Sequence, residues 1–217
     1  MVELCGSLLA ANHVHLCRDL KLAESQDISR FHIDICDGHY TPHFAFGDQM
    51  VRDMRAETSS VLEAHIAVYN MPAITEPFLS SGVDIITVQY ESSELPSRLM
   101  KRIRSAGVTP GISFIPATRF EEMEFFLDEA DFVNILGVDP GIGGQEFNSK
   151  ILGKIEACAD FISRNNLDTK ISVDGGVNTR TMQAIIDAGA DILIFGSGIF
   201  SGDIKNNIEE IRRRIAK

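Results

Sequence analysis

The amino-acid sequence predicts a closed (β/α)8 TIM barrel, and three observations carry that expectation. Short β-rich apolar runs alternate with longer amphipathic segments from one end of the chain to the other, giving eight strand–helix units in 217 residues. Such alternation implies parallel strands joined by right-handed crossovers, and eight units in so short a chain favour closure over an open doubly wound sheet. The polar and glycine-rich segments come at or after the ends of the expected strands, the end of a barrel where chemistry is built. No GxGxxG follows the first strand, which counts against a dinucleotide-binding sheet.

Strands are expected near 3–9, 30–36, 61–66, 84–89, 109–114, 131–136, 169–173 and 191–195. Helices are expected at roughly 14–27, 48–57, 71–81, 94–106, 118–128, 148–165, 178–188 and 203–216. Glycine marks several helix stops, in SSGVD at 80–84, SAGV at 105–108 and DAGAD at 187–191. No linker, low-complexity tract or composition break divides the chain, so residues 1–217 are expected to form a single domain.

With 44% hydrophobic and 24% charged residues, the chain has the composition of a globular protein with a sizeable core. A formal net charge of −11 argues against nucleic acid or an anionic membrane surface as partner. An anionic substrate would therefore be held by local positive potential, from a metal, helix N-termini or a nest of backbone N–H groups. Cys5, Cys17, Cys36 and Cys158 show no CxxC spacing and read as reduced thiols. The N-terminal stretch lacks the pattern of a signal peptide, no apolar run has the length of a membrane span, and a cytoplasmic location is expected.

The chemistry concentrates in FHIDICDGHYTP, residues 31–42. On a strand, His32 and Asp34 point to one face while Ile33 and Ile35 point to the other, toward a covering layer. An isolated HxD is also what a hydrogen-bonded core pair looks like, and His65 alone, in LEAHIAV, would read as a core histidine. Asp174, in KISVDGGV, would read alone as a helix cap or turn former. Together, His32, Asp34, His65 and Asp174 place two imidazoles and two carboxylates on strands 2, 3 and 7 at one rim. That set suits a borderline divalent ion with room left for substrate oxygens. PGIGGQ (140–145), DGGV (174–177) and FGSGIF (195–200) follow strands 6, 7 and 8, where this fold usually grips phosphate with backbone donors. A metal, a pair of carboxylates and a phosphate site suggest epimerisation of a ketose phosphate. One carboxylate removes the proton α to the carbonyl, and the other returns it on the opposite face of the enediolate.

With these residues in view, the chain resembles the ribulose-phosphate 3-epimerase family nearly end to end. The likeness runs from GSLLAA through FHIDICDGHYTP, AHIAV, VDPGIGGQEF and ISVDGGV to AGADILIFGSGIF. The resemblance implies a barrel of the ribulose-phosphate-binding type with Asp34 and Asp174 as acid/base pair. It implies one divalent ion (Zn2+, Fe2+, Mn2+ or Co2+) on His32, Asp34, His65 and Asp174. It also implies substrate contacts from Ser7, His65, Gly141, Ile142, Gly143, Gly144, Gly175, Gly176, Gly196 and Ser197. The implied substrate is ribulose 5-phosphate or xylulose 5-phosphate, and the implied assembly a homo-oligomer, dimer or hexamer. The chain departs from the family pattern in its apolar lining: Cys36, Ala67 and Leu136 stand where members usually carry methionines. Gly6 replaces a proline, Gln89 a strand-4 histidine and Ile115 an asparagine. A smaller Ala67 would enlarge the pocket, which suggests another ketose phosphate, such as allulose 6-phosphate with one more carbon.

Two other readings remain beside it. A non-catalytic sugar-phosphate sensor would keep the barrel and lose turnover. Asp19, Lys21 and Glu24 echo the DxKxxD motif of phosphate-binding decarboxylase barrels, but they lie on the first helix and are expected on a solvated face. His13, His15 and the Arg212–Arg214 run are expected at the surface, the arginines complementing the dipole of the last helix. Asp37 is expected to hold the loop after strand 2, with His39 flanking the substrate.

Overall fold

The structure, a computed structural model, describes residues 2–141 and 144–215. Eight strands run β1 Glu3–Ser7, β2 Arg30–Cys36, β3 Val61–Ala67, β4 Ile85–Gln89, β5 Thr109–Phe114, β6 Phe132–Leu136, β7 Lys170–Asp174 and β8 Ile192–Phe195. All neighbouring pairs are parallel, and β8 pairs with β1 to close the barrel. Between and after them lie α1 Leu16–Glu24, α2 Asp48–Glu57, α3 Met71–Phe78, α4 Pro96–Ser105, α5 Phe120–Met123, α6 Leu152–Asn165, α7 Met182–Asp187, α8 Ser197–Phe200 and α9 Ile204–Ile215.

The helices obey local rules that the sequence displays. α4 opens on Pro96, whose missing N–H costs nothing in a first turn, and buries Leu99, Met100 and Ile103 along one stripe. α9 buries Ile204, Ile208 and Ile211 at the same spacing. The expected glycine stops all hold: Gly82, Gly107 and Gly189 have φ of +90°, +81° and +108°, open to glycine at little cost. Where α7 is shorter than expected, side chains account for the difference. The seventh helix starts at Met182 rather than near 178 because Asn178 and Thr181 close a turn first. There the Asn178 N–H donates to Thr181 Oγ1 at 3.0 Å, and the Arg180 N–H to Asn178 Oδ1 at 2.9 Å. The first strand ends at Ser7, followed by a 3-10 turn over Leu8–Ala10, and α5 gives way to another at Glu124–Phe126.

Each strand presents its two faces to two different environments. Phe31, Ile33 and Ile35 belong to the large apolar core between the barrel wall and the helices. Arg30, His32, Asp34 and Cys36 alternate with them and point into the barrel. In register with these, β3 brings Glu63 beside His32, His65 beside Asp34 and Ala67 beside Cys36. Inside the barrel the apolar filling is small, with Cys5, Ile192 and Ile194 packed against Phe132. Cys36, Ala67, Ile85 and Leu136 are buried there as well, and among them lie polar side chains, including Thr87, Gln89, Ser113, Asn134 and Ser172.

Candidate active site

Strand register sets the first two members of the site. Asp34 and His65 are direct neighbours across β2 and β3, and Ser7 is the neighbour of His32 across β1 and β2. Asp34 Oδ1 lies 3.3 Å from His32 Nε2 and 3.3 Å from His65 Nδ1. Ser7 Oγ donates to Asp34 Oδ2 at 3.3 Å. Asp174 enters from the end of β7, with Oδ2 4.0 Å from His32 Nε2. The two imidazoles stand 5.3 Å apart between centroids.

These residues fit a divalent ion by their own geometry. His32 is fully buried, and neither ring nitrogen makes a hydrogen bond. A buried polar atom without a hydrogen bond is costly, and here Nε2 faces two carboxylates in ion-pair contact instead. Donor atoms of His32, Asp34 and His65 lie within 4.8 Å of one another. Ligand bonds of 2.0–2.1 Å in a tetrahedral shell put neighbouring donors about 3.3 Å apart, which is the spacing Asp34 keeps to both histidines.

Burial opposes a charge on His32, but Asp34 and Glu63 outweigh it and raise the imidazole pKa well above its ordinary value. Burial likewise pushes Asp34 up, and the His32 and His65 imidazoles bring it below the ordinary carboxylate range. Asp174 differs: burial, reinforced by the neighbouring Asp34 charge, wins over His32 and lifts it to about 6. The two carboxylates therefore have different proton affinities, the condition under which one holds a proton while the other is ionised.

The glycine loops meet beside this cluster. The Gly137 N–H donates to Asp174 O at 2.6 Å, tying the loop after β6 to the end of β7. Gly176 has φ +71°, and a Cβ there would lie 2.8 Å from Phe147 Cα. Glycine at 176 is thus demanded by loop packing as well as by any ligand. Gly144, at φ +78°, has open space around it instead. Ser7, Asp34, His65, Gly141, Gly144, Asp174, Gly175, Gly176, Gly196 and Ser197 all line one cavity of about 1100 Å³, together with Cys36, Ala67 and Leu136. His32 sits beneath it. Ile142 and Gly143 lie outside the described residues.

Several expectations need correction. Asp19 is not on a solvated face: it is buried, accepts from the Asn12 N–H at 3.0 Å and pairs with Arg18, so it pins the loop before α1. His43, rather than His39, lines the cavity, while His39 packs edge-on against Tyr69. Arg212 pairs with Asp27, and Arg214 both pairs with Glu210 and reaches the cavity rim. Asp37 does hold its loop, accepting from the backbone of His39, Tyr40 and Tyr69. His13 and His15 are exposed, as expected.

Sequence reasoning passed over Glu63 and Arg30. Glu63 Oε1 accepts from Thr87 at 2.7 Å and faces His32 Nδ1 at 3.6 Å, while Oε2 accepts from Arg30 Nε and Nη2 at 3.3 Å. Burial would raise Glu63, but His32 and Arg30 hold it down to about 2. Arg30 is itself sandwiched, 4.4 Å above the Phe132 ring. The signal was available: Arg30 and Glu63 share strand parity with His32 and His65, so all four face the barrel axis.

Fold and site together define a TIM-barrel enzyme whose titratable groups converge from β2, β3 and β7. The model of the ribulose-phosphate 3 epimerase family matches residues 3–200, and the chain belongs to that family of isomerases. It is 33% identical over 213 residues to the ribulose-phosphate 3-epimerase of Methanocaldococcus jannaschii, covering 98% of this chain and 90% of that protein. To the Bacillus subtilis ribulose-phosphate 3-epimerase it is 32% identical over 214 residues, covering 98% and 99%. Among solved structures, 3-keto-L-gulonate-6-phosphate decarboxylase from Vibrio cholerae shares the fold, with TM-score 0.73 at 13% identity over 99% of this chain and 97% of that one. No helix among the described residues is long and apolar enough to cross a membrane.

Proposed function

We propose that this protein interconverts ketose phosphates that are epimers at C3, with D-ribulose 5-phosphate and D-xylulose 5-phosphate as the primary pair. The observation that carries the reading is the pair of carboxylates, Asp34 and Asp174, set 3.3 and 4.0 Å from Nε2 of the buried His32. His32, Asp34, His65 and Asp174 would hold a divalent ion, whose charge would stabilise the enediolate oxygens. One aspartate takes the C3 proton, and its electron pair moves into the enediolate. The other aspartate delivers a proton to C3 from the opposite face, and the roles exchange in the reverse direction. Ser7 Oγ, bound to Asp34 Oδ2, orients that carboxylate. Gly144, Gly175, Gly176, Gly196 and Ser197 would present backbone N–H groups to the phosphate, which suits a chain of net charge −11.

A second substrate reading rests on the lining. Cys36, Ala67 and Leu136 leave a cavity of about 1100 Å³, room for a six-carbon substrate such as D-allulose 6-phosphate with D-fructose 6-phosphate as product. The test is exchange of the C3 hydrogen with deuterated solvent, followed by NMR, with ribulose 5-phosphate, xylulose 5-phosphate and allulose 6-phosphate offered in turn. Exchange that is lost on chelation and in Asp174→Asn supports the reading and identifies the substrate. No exchange with any of the three, in protein shown to hold its metal, overturns it in favour of a silent sugar-phosphate sensor.

A further inference from the structure

We infer that Gln89 and Glu91 form an orientation lock that fixes the ring tautomer of His65, making them positioning residues for the ion site. The inference rests on the reading of His65 as a metal ligand given above.

Gln89 is fully buried at the end of β4. Its amide has one donor end and one acceptor end, and the surroundings decide which way it faces. Gln89 Nε2 meets Glu91 Oε2 in a short hydrogen bond and Ser113 O at 3.3 Å. An ionised carboxylate and a carbonyl are both acceptors only, so the NH2 end must face them. Glu91 cannot turn away, because the Ile115 N–H donates to its Oε1 at 3.0 Å and Thr118 Oγ1 donates to the same oxygen. Gln89 Oε1 is therefore left facing His65 Nε2, at 2.8 Å. A carbonyl oxygen accepts only, so His65 Nε2 must carry the hydrogen.

In a neutral imidazole, the lone pair then sits on Nδ1. Nδ1 faces Asp34 Oδ1 at 3.3 Å. In that form the two facing acceptors are brought together by whatever lies between them, a proton or a metal ion. If the amide were reversed, Nδ1–H would donate to Asp34 and satisfy both groups without any ion. The chain from Thr118 and Ile115 through Glu91 and Gln89 excludes that alternative by keeping the hydrogen on Nε2, which leaves Nδ1, beside Asp34, as the ring nitrogen available to a metal. Histidine ligands are commonly set in this way by an acceptor on their second nitrogen, and loss of such a partner weakens metal binding about 10–100-fold.

The experiment uses the full chain with 15N-labelled histidine. Two-bond proton–nitrogen correlations of the metal-free protein, followed as pH is raised until the His65 nitrogen shifts show the neutral ring, report its tautomer. Zinc affinity is measured separately by competition with a chromophoric chelator. The wild type is expected to show the Nε2–H form. Gln89→Leu is expected to shift His65 toward Nδ1–H and to weaken zinc about 10–100-fold. Glu91→Gln, which lets the amide turn over, should shift both readouts in the same direction to a lesser extent. Gln89→His should restore both, since imidazole can accept from His65 and donate to Glu91. An Nδ1–H form in the wild type overturns the inference. So does a folded Gln89→Leu or Glu91→Gln protein with unchanged tautomer and zinc affinity. A wild type that shows the Nε2–H form yet binds no zinc would uphold the lock and sink the metal reading on which it was built.

Discussion

The carboxylate pair makes a prediction about stability as well as catalysis: in metal-free protein, Asp174→Asn should be more stable than the wild type. Asp174 is lifted to about 6 by burial and by Asp34, against an ordinary value near 3.9. At about 1.4 kcal/mol per pH unit, the full shift corresponds to ~3 kcal/mol of destabilisation once the group is ionised. The side chain keeps 18% exposure, and solvent screening reduces the expected gain to about 1–3 kcal/mol. For a chain of this length that is a rise of about 2–12 °C in Tm. The sign of the pH dependence follows from linkage. The folded state binds the Asp174 proton more tightly than the unfolded state, so wild-type stability falls as pH rises from about 4 to about 6. Asparagine has no proton to lose, so its advantage should grow across that window and level off above it. Thermal and denaturant unfolding of chelator-treated protein at several pH values measures this, and added zinc should narrow the difference by stabilising the wild type, with its full ligand set, more than the variant. An Asn variant no more stable than the wild type above pH 6, or an advantage that shrinks as pH rises, would refute the picture of two opposed buried carboxylates.

Further perturbations test other parts of the molecule. Glu63→Leu removes the buried one of Arg30's two counter-charges, leaving only Glu3 at 3.4 Å, and should cost up to about 3–5 kcal/mol in denaturant unfolding, most of it recovered in the double variant with Arg30→Met. Gly176→Ala forces a Cβ at φ +71° and within 2.8 Å of Phe147 Cα, which should cost at least ~1–3 kcal/mol and weaken competitive inhibition by inorganic phosphate. Ala67→Met fills the cavity beside Cys36, and kcat/KM for a six-carbon relative to a five-carbon ketose phosphate should fall at least about 10-fold. An unchanged ratio would remove Ala67 as a determinant of substrate length.

The fold was legible because each barrel strand carries a compact apolar signal and each helix a stripe at helical spacing, and neither depends on distant residues. Boundaries slipped where a polar side chain closed a turn locally, as Asn178 and Thr181 do ahead of α7. His32, Asp34, His65 and Asp174 stood out because they interrupt apolar runs at the same end of their strands. Glu63 and Arg30 interrupt such runs too, but their meaning depends on partners on the neighbouring strand, 33 residues apart in sequence, and on which face of the strand they occupy. Asp19 looked like a surface charge because nothing in its neighbourhood of sequence reveals that the Asn12 N–H needs an acceptor. Gln89 registered only as a departure from a family pattern. Its chemistry depends on Glu91 and on the Ser113 carbonyl of the neighbouring strand.

The same alternation separates the lining of the site from the packing that holds the fold. Stability comes chiefly from the outward face of the strands, where Phe31, Ile33, Leu62, Ile66 and Val88 are fully or almost fully buried against helices. Each such side chain contributes about 1.5–3 kcal/mol by leaving water. Cys36, Ala67 and Leu136 occupy the opposite face, at the cavity, where neighbours are missing on one side. A change of size there alters the space offered to a ligand and leaves the outward packing intact, so substitution at these three positions is expected to move specificity with little loss of fold stability. The inward charges have no such freedom. Arg30, Glu63 and His32 are each paired through the next, so removing one strands another in the interior.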